Sequence, residues 1–194
     1  MRYAVALALS FFCGLASADS WPAAKVAGAA SPTGQVVVRV LPGTSLGDVY
    51  GFDGERKGES ASAIFYRLGA TDVYAQYQKI SLLNPVAPLF TAVTDAGELV
   101  TLGNWHNMGL GKVVVIYRPD GQLLRSYDLA QIYTEAEIQK IPNTVSSVWW
   151  RCPMPPIFEP RISSLELQDI FGNIVEINLK TGALKKSASM QEGC

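Results

Sequence analysis

The chain has 194 residues, 48% of them hydrophobic and 17% charged, with 17 Gly and 11 Pro. These proportions exclude a disordered polymer, a collagen and a coiled coil, and they suit a globular chain long enough to bury a core. Sixteen Lys and Arg against 17 Asp and Glu leave a formal net charge of −1, so no basic surface for a nucleic-acid partner is expected.

The chain opens with Met1-Arg2, a short positive start, and then runs uncharged and mostly apolar from Tyr3 to Leu15. Thirteen residues are too few to span a bilayer, which needs about 20, but they suit the apolar region of a signal peptide. Ala16-Ser17-Ala18 follows, the A-x-A pattern of a signal-peptidase site, so residues 1–18 are expected to be a signal peptide and the mature chain to begin at Asp19. A buried apolar segment is the ordinary alternative. Phe12 before Cys13 is too large for a lipidation site. The rest holds no stretch of transmembrane length, so no membrane insertion is expected after cleavage. A periplasmic or secreted protein follows.

Residues 19–194 read as one β-rich domain. Beyond residue 30, period-2 or short apolar runs alternate with Gly, Pro, Asp and Asn, the punctuation of strands and turns. Strands are expected at Gln35–Leu41, Ser62–Arg67, Tyr74–Leu83, Leu89–Thr94, Glu98–Leu102, Lys112–Tyr117, Gln122–Tyr127, Ser146–Arg151, Ser164–Asp169, Ile174–Leu179 and Ala183–Lys186. One helical signal interrupts them. Thr134-Glu135-Ala136-Glu137 is a capping box, and it predicts a short helix over Glu135–Lys140, ended by Pro142. Gly43 to Ser62, rich in Gly and charge, is a long loop.

Two cysteines survive cleavage, Cys152 and Cys194. An even pair in an exported chain is expected to form one disulfide. The ring it closes spans 43 residues counting both ends, which the chain-entropy model values at about 4 kcal/mol as an upper figure.

Residues 89–129 give four successive strands, FTAVT, ELVTL, KVVVIY and QLLRSY, and residues 31–83 and 146–190 thread in the same way. A four-stranded antiparallel unit of about 40 residues has the size of one propeller blade. On the turns Ser31-Pro32-Thr33-Gly34, Thr94-Asp95-Ala96-Gly97, Arg118-Pro119-Asp120-Gly121 and Asn178-Leu179-Lys180-Thr181-Gly182 the chain resembles β-propeller repeat proteins, the last turn looking like that of quinoprotein-type blades. The fold implied is an all-β antiparallel meander of about 10–12 strands in blade-like units. A two-sheet β-sandwich is the alternative. Residues 84–151, with LLNPVAPLFTAVTDAG, GNWHNMGLGKVVVIY and SSVWWRC, also resemble uncharacterised exported bacterial proteins, which implies no activity.

The single histidine, His106, lies in Gly103-Asn104-Trp105-His106-Asn107-Met108-Gly109-Leu110-Gly111. An imidazole there suits general acid–base chemistry. The plainer reading has His106 and Asn104 bonding the loop backbone while Trp105 plugs a core. No G-x-S-x-G elbow marks a nucleophile, and one His with a bonded Cys pair supplies no ordinary zinc set, so catalytic and metal-ligating residues are left unassigned. Asp48, Asp53, Glu55 and Glu59 crowd the long loop, but their spacing fits no EF-hand, and Arg56 and Lys57 among them favour a solvated loop over a calcium site.

In Trp149-Trp150-Arg151-Cys152, neighbouring strand residues point to opposite faces. One Trp then enters the core and the other faces a groove, a sheet or water. The candidate ligand-binding residues are Asn104, Trp105, His106, Trp150 and Arg151. No phosphate loop, dinucleotide fingerprint or haem-attachment motif is present, so no cofactor is expected. The function expected is a non-catalytic binding or interaction module for an unidentified ligand or protein. The alternative is a small hydrolase or lyase using His106 as general acid or base.

Overall fold

The computed structural model describes residues 22–44, 58–144, 146–159, 163–189 and 193–194. The signal-like segment 1–18, and Asp48, Asp53 and Glu55 of the long loop, lie outside the described residues.

Among the described residues, twelve strands form three four-stranded antiparallel sheets, each a meander in chain order. The first holds β1 (Ala27–Ala30), β2 (Val36–Leu41), β3 (Ser62–Leu68) and β4 (Tyr74–Ser81). The second holds β5 (Phe90–Val93), β6 (Leu99–Leu102), β7 (Val114–Tyr117) and β8 (Leu123–Tyr127). The third holds β9 (Ile157–Glu159), β10 (Ser164–Gln168), β11 (Ile174–Asn178) and β12 (Leu184–Ser187). This is the all-β, blade-like architecture the sequence implies.

The turns form as their chemistry dictates. In Arg118–Gly121 the Gly121 N–H donates to the Arg118 carbonyl, and the Asp120 carboxylate accepts from the Gln122 N–H at 2.9 Å. Asn178 turns β11 into β12 by accepting from the N–H groups of Lys180 and Thr181. The turns also tie sheets together. Thr33, between β1 and β2, donates its hydroxyl to Asp95, between β5 and β6, at 2.6 Å. Tyr127 of β8 donates its hydroxyl to the Gly182 carbonyl of the β11–β12 turn, also at 2.6 Å.

The middle sheet decides between the two architectures left open. Its strands β6 and β7 are buried throughout, as a sheet covered on both faces must be. Leu99, Val115 and Tyr117 pack with Val36, Val38 and Phe65 of the first sheet. Val100, Leu102, Val114 and Ile116 pack with Leu165, Val175 and Ile177 of the third. The period-2 alternation of KVVVIY thus divides one strand between two cores. Three stacked sheets are not a two-sheet sandwich.

Two expected strand limits are corrected. Residues 146–151 form isolated bridges, Met108 with Ser147, Asn143 with Val148 and Arg151 with Asp169, rather than a strand. The third sheet takes its fourth strand from Ile157–Glu159 instead. The Trp150 N–H turns back to the Val148 carbonyl at 3.0 Å, which bends the run out of a regular ladder. The first sheet adds β1, whose Ala-Gly-Ala-Ala sequence carries no β-branched signal.

The capping box forms on both sides. The Thr134 hydroxyl accepts from the Glu137 N–H, and the Glu137 carboxylate accepts from the Thr134 N–H at 2.7 Å. The helix, α1, covers Glu135–Ile138 and ends two residues before the predicted limit. The Lys140 N–H bonds instead to the Glu137 carbonyl, a tighter final turn.

Candidate functional site

The β6–β7 connection, residues 103–111, is held by a buried polar network. Asn84, on the segment entering β5, is 1% exposed. Its amide donates to the Gly103 carbonyl and to the Asn104 side-chain oxygen, both at 2.9 Å, while its own oxygen accepts from the Thr101 hydroxyl at 2.8 Å. Asn104 passes the network onward, donating to the carbonyls of Leu110 at 2.8 Å and Lys112 at 3.2 Å. The two carboxamides thereby fix both ends of the loop. Buried amides require such partners, because an unpaired one costs about 1–3 kcal/mol.

On this frame Trp105 is half-buried, and its indole N–H donates to the Pro22 carbonyl at 2.9 Å. It faces a hollow of about 400 Å³ that it shares with Val26 and Leu89, among others. His106, also half-buried, has φ 69°, a left-handed backbone uncommon for non-glycine residues, with Asn, Asp and His the ones enriched there. Two residues on, the Met108 carbonyl accepts the Val148 N–H at 2.7 Å. Gly109 is required at this approach. It has φ +80°, and a Cβ there would lie 2.3 Å from the Val148 carbonyl oxygen.

Val148 leads into the second part of the site. The Trp150 carbonyl accepts the Ile170 N–H at 3.1 Å and the Tyr133 hydroxyl at 3.0 Å, and the Cys152 N–H donates to the Gln168 carbonyl at 2.9 Å. These bonds fix Arg151 on both sides. Trp150 is 1% exposed and belongs to the core between the second and third sheets, whereas Trp149 is 41% exposed. Trp149 and Arg151 stand on a cleft of about 420 Å³ with Met108, Ile170 and the Cys152–Cys194 disulfide. The cysteines pair as the sequence leads one to expect, with Cα atoms 5.7 Å apart, a bond that suits an oxidising compartment.

Two groups around the cleft are electrostatically marked. Burial lowers the Arg151 guanidinium pKa from its ordinary value, although it stays charged. Its Nη1 donates to the Cys152 carbonyl at 3.1 Å. Behind the cleft, burial first and then the Asp169 charge push the Tyr133 phenol above its usual value. Asp169 is fully buried, and its carboxylate accepts from the N–H groups of Phe171 and Asn173 and from the Asn173 amide. Among the described residues no cluster of three His, Cys, Asp or Glu side chains could hold a metal ion.

The five sequence candidates therefore divide. Asn104 braces the loop, Trp105 faces the N-terminal segment, His106 occupies the strained corner, Trp150 fills the core and Arg151 lines the cleft. Trp149 and Met108, which are not among those five, stand beside Arg151. Alternation leaves one of the two neighbouring indoles facing outward, and the structure places Trp149 there. Met108 has no such signal.

No family model matches the chain, and no curated protein matches it. Among solved structures it is similar to a periplasmic gluconolactonase of Pseudomonas aeruginosa, with 14% identity and a TM-score of 0.45. The match covers 81% of this chain and 41% of that one, so the chain spans less than half the length of the structure it matches. The expectation of a non-catalytic binding module is corrected here: the gluconolactonase to which the chain is similar is an enzyme. The expectation rested on missing motifs, and an acid–base site on a β scaffold needs no contiguous motif. At this TM-score the likeness itself assigns no substrate or residue to this chain.

Proposed function

We propose that the protein is a small exported hydrolase or lyase in which His106 is the general acid–base. The backbone of His106 carries this reading. Only three described non-glycine residues have a positive φ, namely Asp72, His106 and Ser163. Such a conformation costs about 1–3 kcal/mol and persists where the surroundings over-determine it, commonly at reacting sites. The Asn84–Asn104 network supplies that over-determination. The loop also reaches the Arg151 cleft through Met108. In a hydrolysis the imidazole takes a proton from water as the water oxygen bonds to the carbonyl carbon. The imidazolium then returns that proton to the departing oxygen as the carbon–oxygen bond breaks.

The test is the mature, oxidised protein assayed against aryl esters and lactones that carry a carboxylate. H106Q is expected to lower kcat at least 100-fold, in line with the loss of one acid–base group, with the melting temperature unchanged. Equal turnover by the wild type and H106Q, or no turnover by the wild type of any ester or lactone, would overturn the reading.

A further inference from the structure

Arg151 presents a problem that the acid–base reading does not address. Its guanidinium is half-buried on the wall of the 420 Å³ cleft. Among the described residues no carboxylate lies within ion-pair distance of it; the described ion pairs are Lys112 with Asp128 and Lys186 with Glu137. Among the described residues its guanidinium bonds two backbone carbonyls through one nitrogen, Cys152 at 3.1 Å and Met154 at 3.4 Å. A guanidinium has five N–H donors in a planar fork. The remaining donors, at Nε and Nη2, have no partner among the described residues. Withdrawing a cation from water without an anion is costly, and burial alone accounts for its lowered pKa. A site built in this way is completed by an anion, which a fork of donors holds best in two parallel bonds.

The rest of the cleft describes what the anion is attached to. Trp149 is 41% exposed and lines it. Met108 and Ile170 add apolar surface, and the disulfide forms part of the wall. None of the described lining side chains is acidic. An indole face, a thioether and a branched aliphatic chain take a flat apolar body, and pockets of roughly 300–1,000 Å³ hold a small molecule.

We propose that the cleft between Met108, Trp149, Arg151 and the Cys152–Cys194 disulfide is a binding site for a small aromatic carboxylate, its carboxylate on Arg151 and its ring against Trp149. The backbone orients both contacts. Trp149 and Arg151 line the same cleft on a run pinned at the carbonyl of Trp150 and the N–H of Cys152, while Trp150 anchors the run in the core between them. The site is argued from the cleft alone and does not depend on a reaction at His106.

The experiment is calorimetric titration of the oxidised wild-type protein with phenylacetate, phenylacetamide and inorganic phosphate, repeated on R151Q, R151K, W149A and H106Q. Phenylacetate is expected to bind saturably, at least tenfold more tightly than phenylacetamide or phosphate. R151Q is expected to lose at least tenfold, R151K less, W149A several-fold, and H106Q nothing. The wild-type comparison of acid with amide needs no variant to fold. Absent binding, equal binding of acid and amide, a preference for phosphate, or full binding by R151Q each overturns the site. If H106Q binds phenylacetate normally but turns over no substrate, both readings hold. If the wild type turns over esters without binding phenylacetate, this site fails and the reaction stands.

Discussion

A single buried carboxamide joins the end of β6 to the connection that follows it. Asn84 spends both amide hydrogens on Gly103 and Asn104 of the β6–β7 connection and its oxygen on Thr101 of β6, at 2.8–2.9 Å and almost without contact with water. Substituting it with alanine leaves the Thr101 hydroxyl, the Gly103 carbonyl and the Asn104 oxygen unsatisfied in the interior. N84A is therefore expected to cost about 3 kcal/mol, several times the loss of an exposed hydrogen bond. Urea denaturation measures this, and a loss under about 1 kcal/mol would mean that water replaces the amide. The effect reaches past stability, because the same network holds the strained backbone of His106. The sequence marks His106 by its solitude and Asn104 by its setting. Asn84 has no comparable mark, since its three partners lie 17–20 residues further along the chain. The Trp149-Trp150 pair is a different case. Alternation alone says that one indole is buried, but which one depends on the phase of a run that is not a regular strand.

At the scale of elements, helix α1 joins the third sheet through one ion pair, Glu137 to Lys186 of β12 at 2.7 Å. The Lys186 ammonium, then the Thr134 N–H, hold the Glu137 carboxyl down at about 2, from an ordinary 4.5. A carboxyl whose folded value lies below its unfolded value contributes stability that is complete above the unfolded value and lost as pH falls through the folded one. The contribution should therefore be intact above pH 4.5 and disappear towards pH 2. Both side chains are partly exposed, at 24% and 32%, so solvent screening limits it to under about 1 kcal/mol. E137Q is expected to melt slightly below the wild type at pH 6 and together with it at pH 2. A gap that persists at pH 2 would show that glutamine weakens the cap itself. The capping box and its helix are readable because every group involved is within four residues. The hairpins are readable for the same reason, as Arg118–Gly121 and Asn178–Gly182 carry their own hydrogen-bond partners. The strands β1 and β9 are not. Neither has an alternating apolar pattern, and each is recruited by the open edge of a sheet formed elsewhere.

Across the whole molecule, the middle sheet contributes to both cores, and the disulfide governs the far end. The third sheet contacts the rest through the cluster around Ile116 and Trp150. Its β12 edge is followed by the chain end at Cys194, which the bond returns to Cys152, 42 positions earlier. Cys152 itself is fixed to the Gln168 carbonyl of β10. The bond therefore closes a ring around the whole third sheet while leaving the first two outside it. Closing a ring of this size removes conformations from the unfolded chain, worth about 4 kcal/mol at most in the entropic model. Because the native geometry of the first sheet does not involve the bond, reduction should lower global stability while its local packing survives. The C152S/C194S double variant is expected to unfold at a lower urea midpoint than the oxidised protein. Hydrogen exchange should quicken first in β10–β12 and last in β6 and β7, whose residues are buried on both faces. The cleft should weaken with it, since the disulfide is part of its wall, and phenylacetate titration of the double variant reads that separately. Uniformly faster exchange in all three sheets would show that the bond stabilises the molecule as one cooperative unit. An unchanged midpoint would show that β12 holds the third sheet without it.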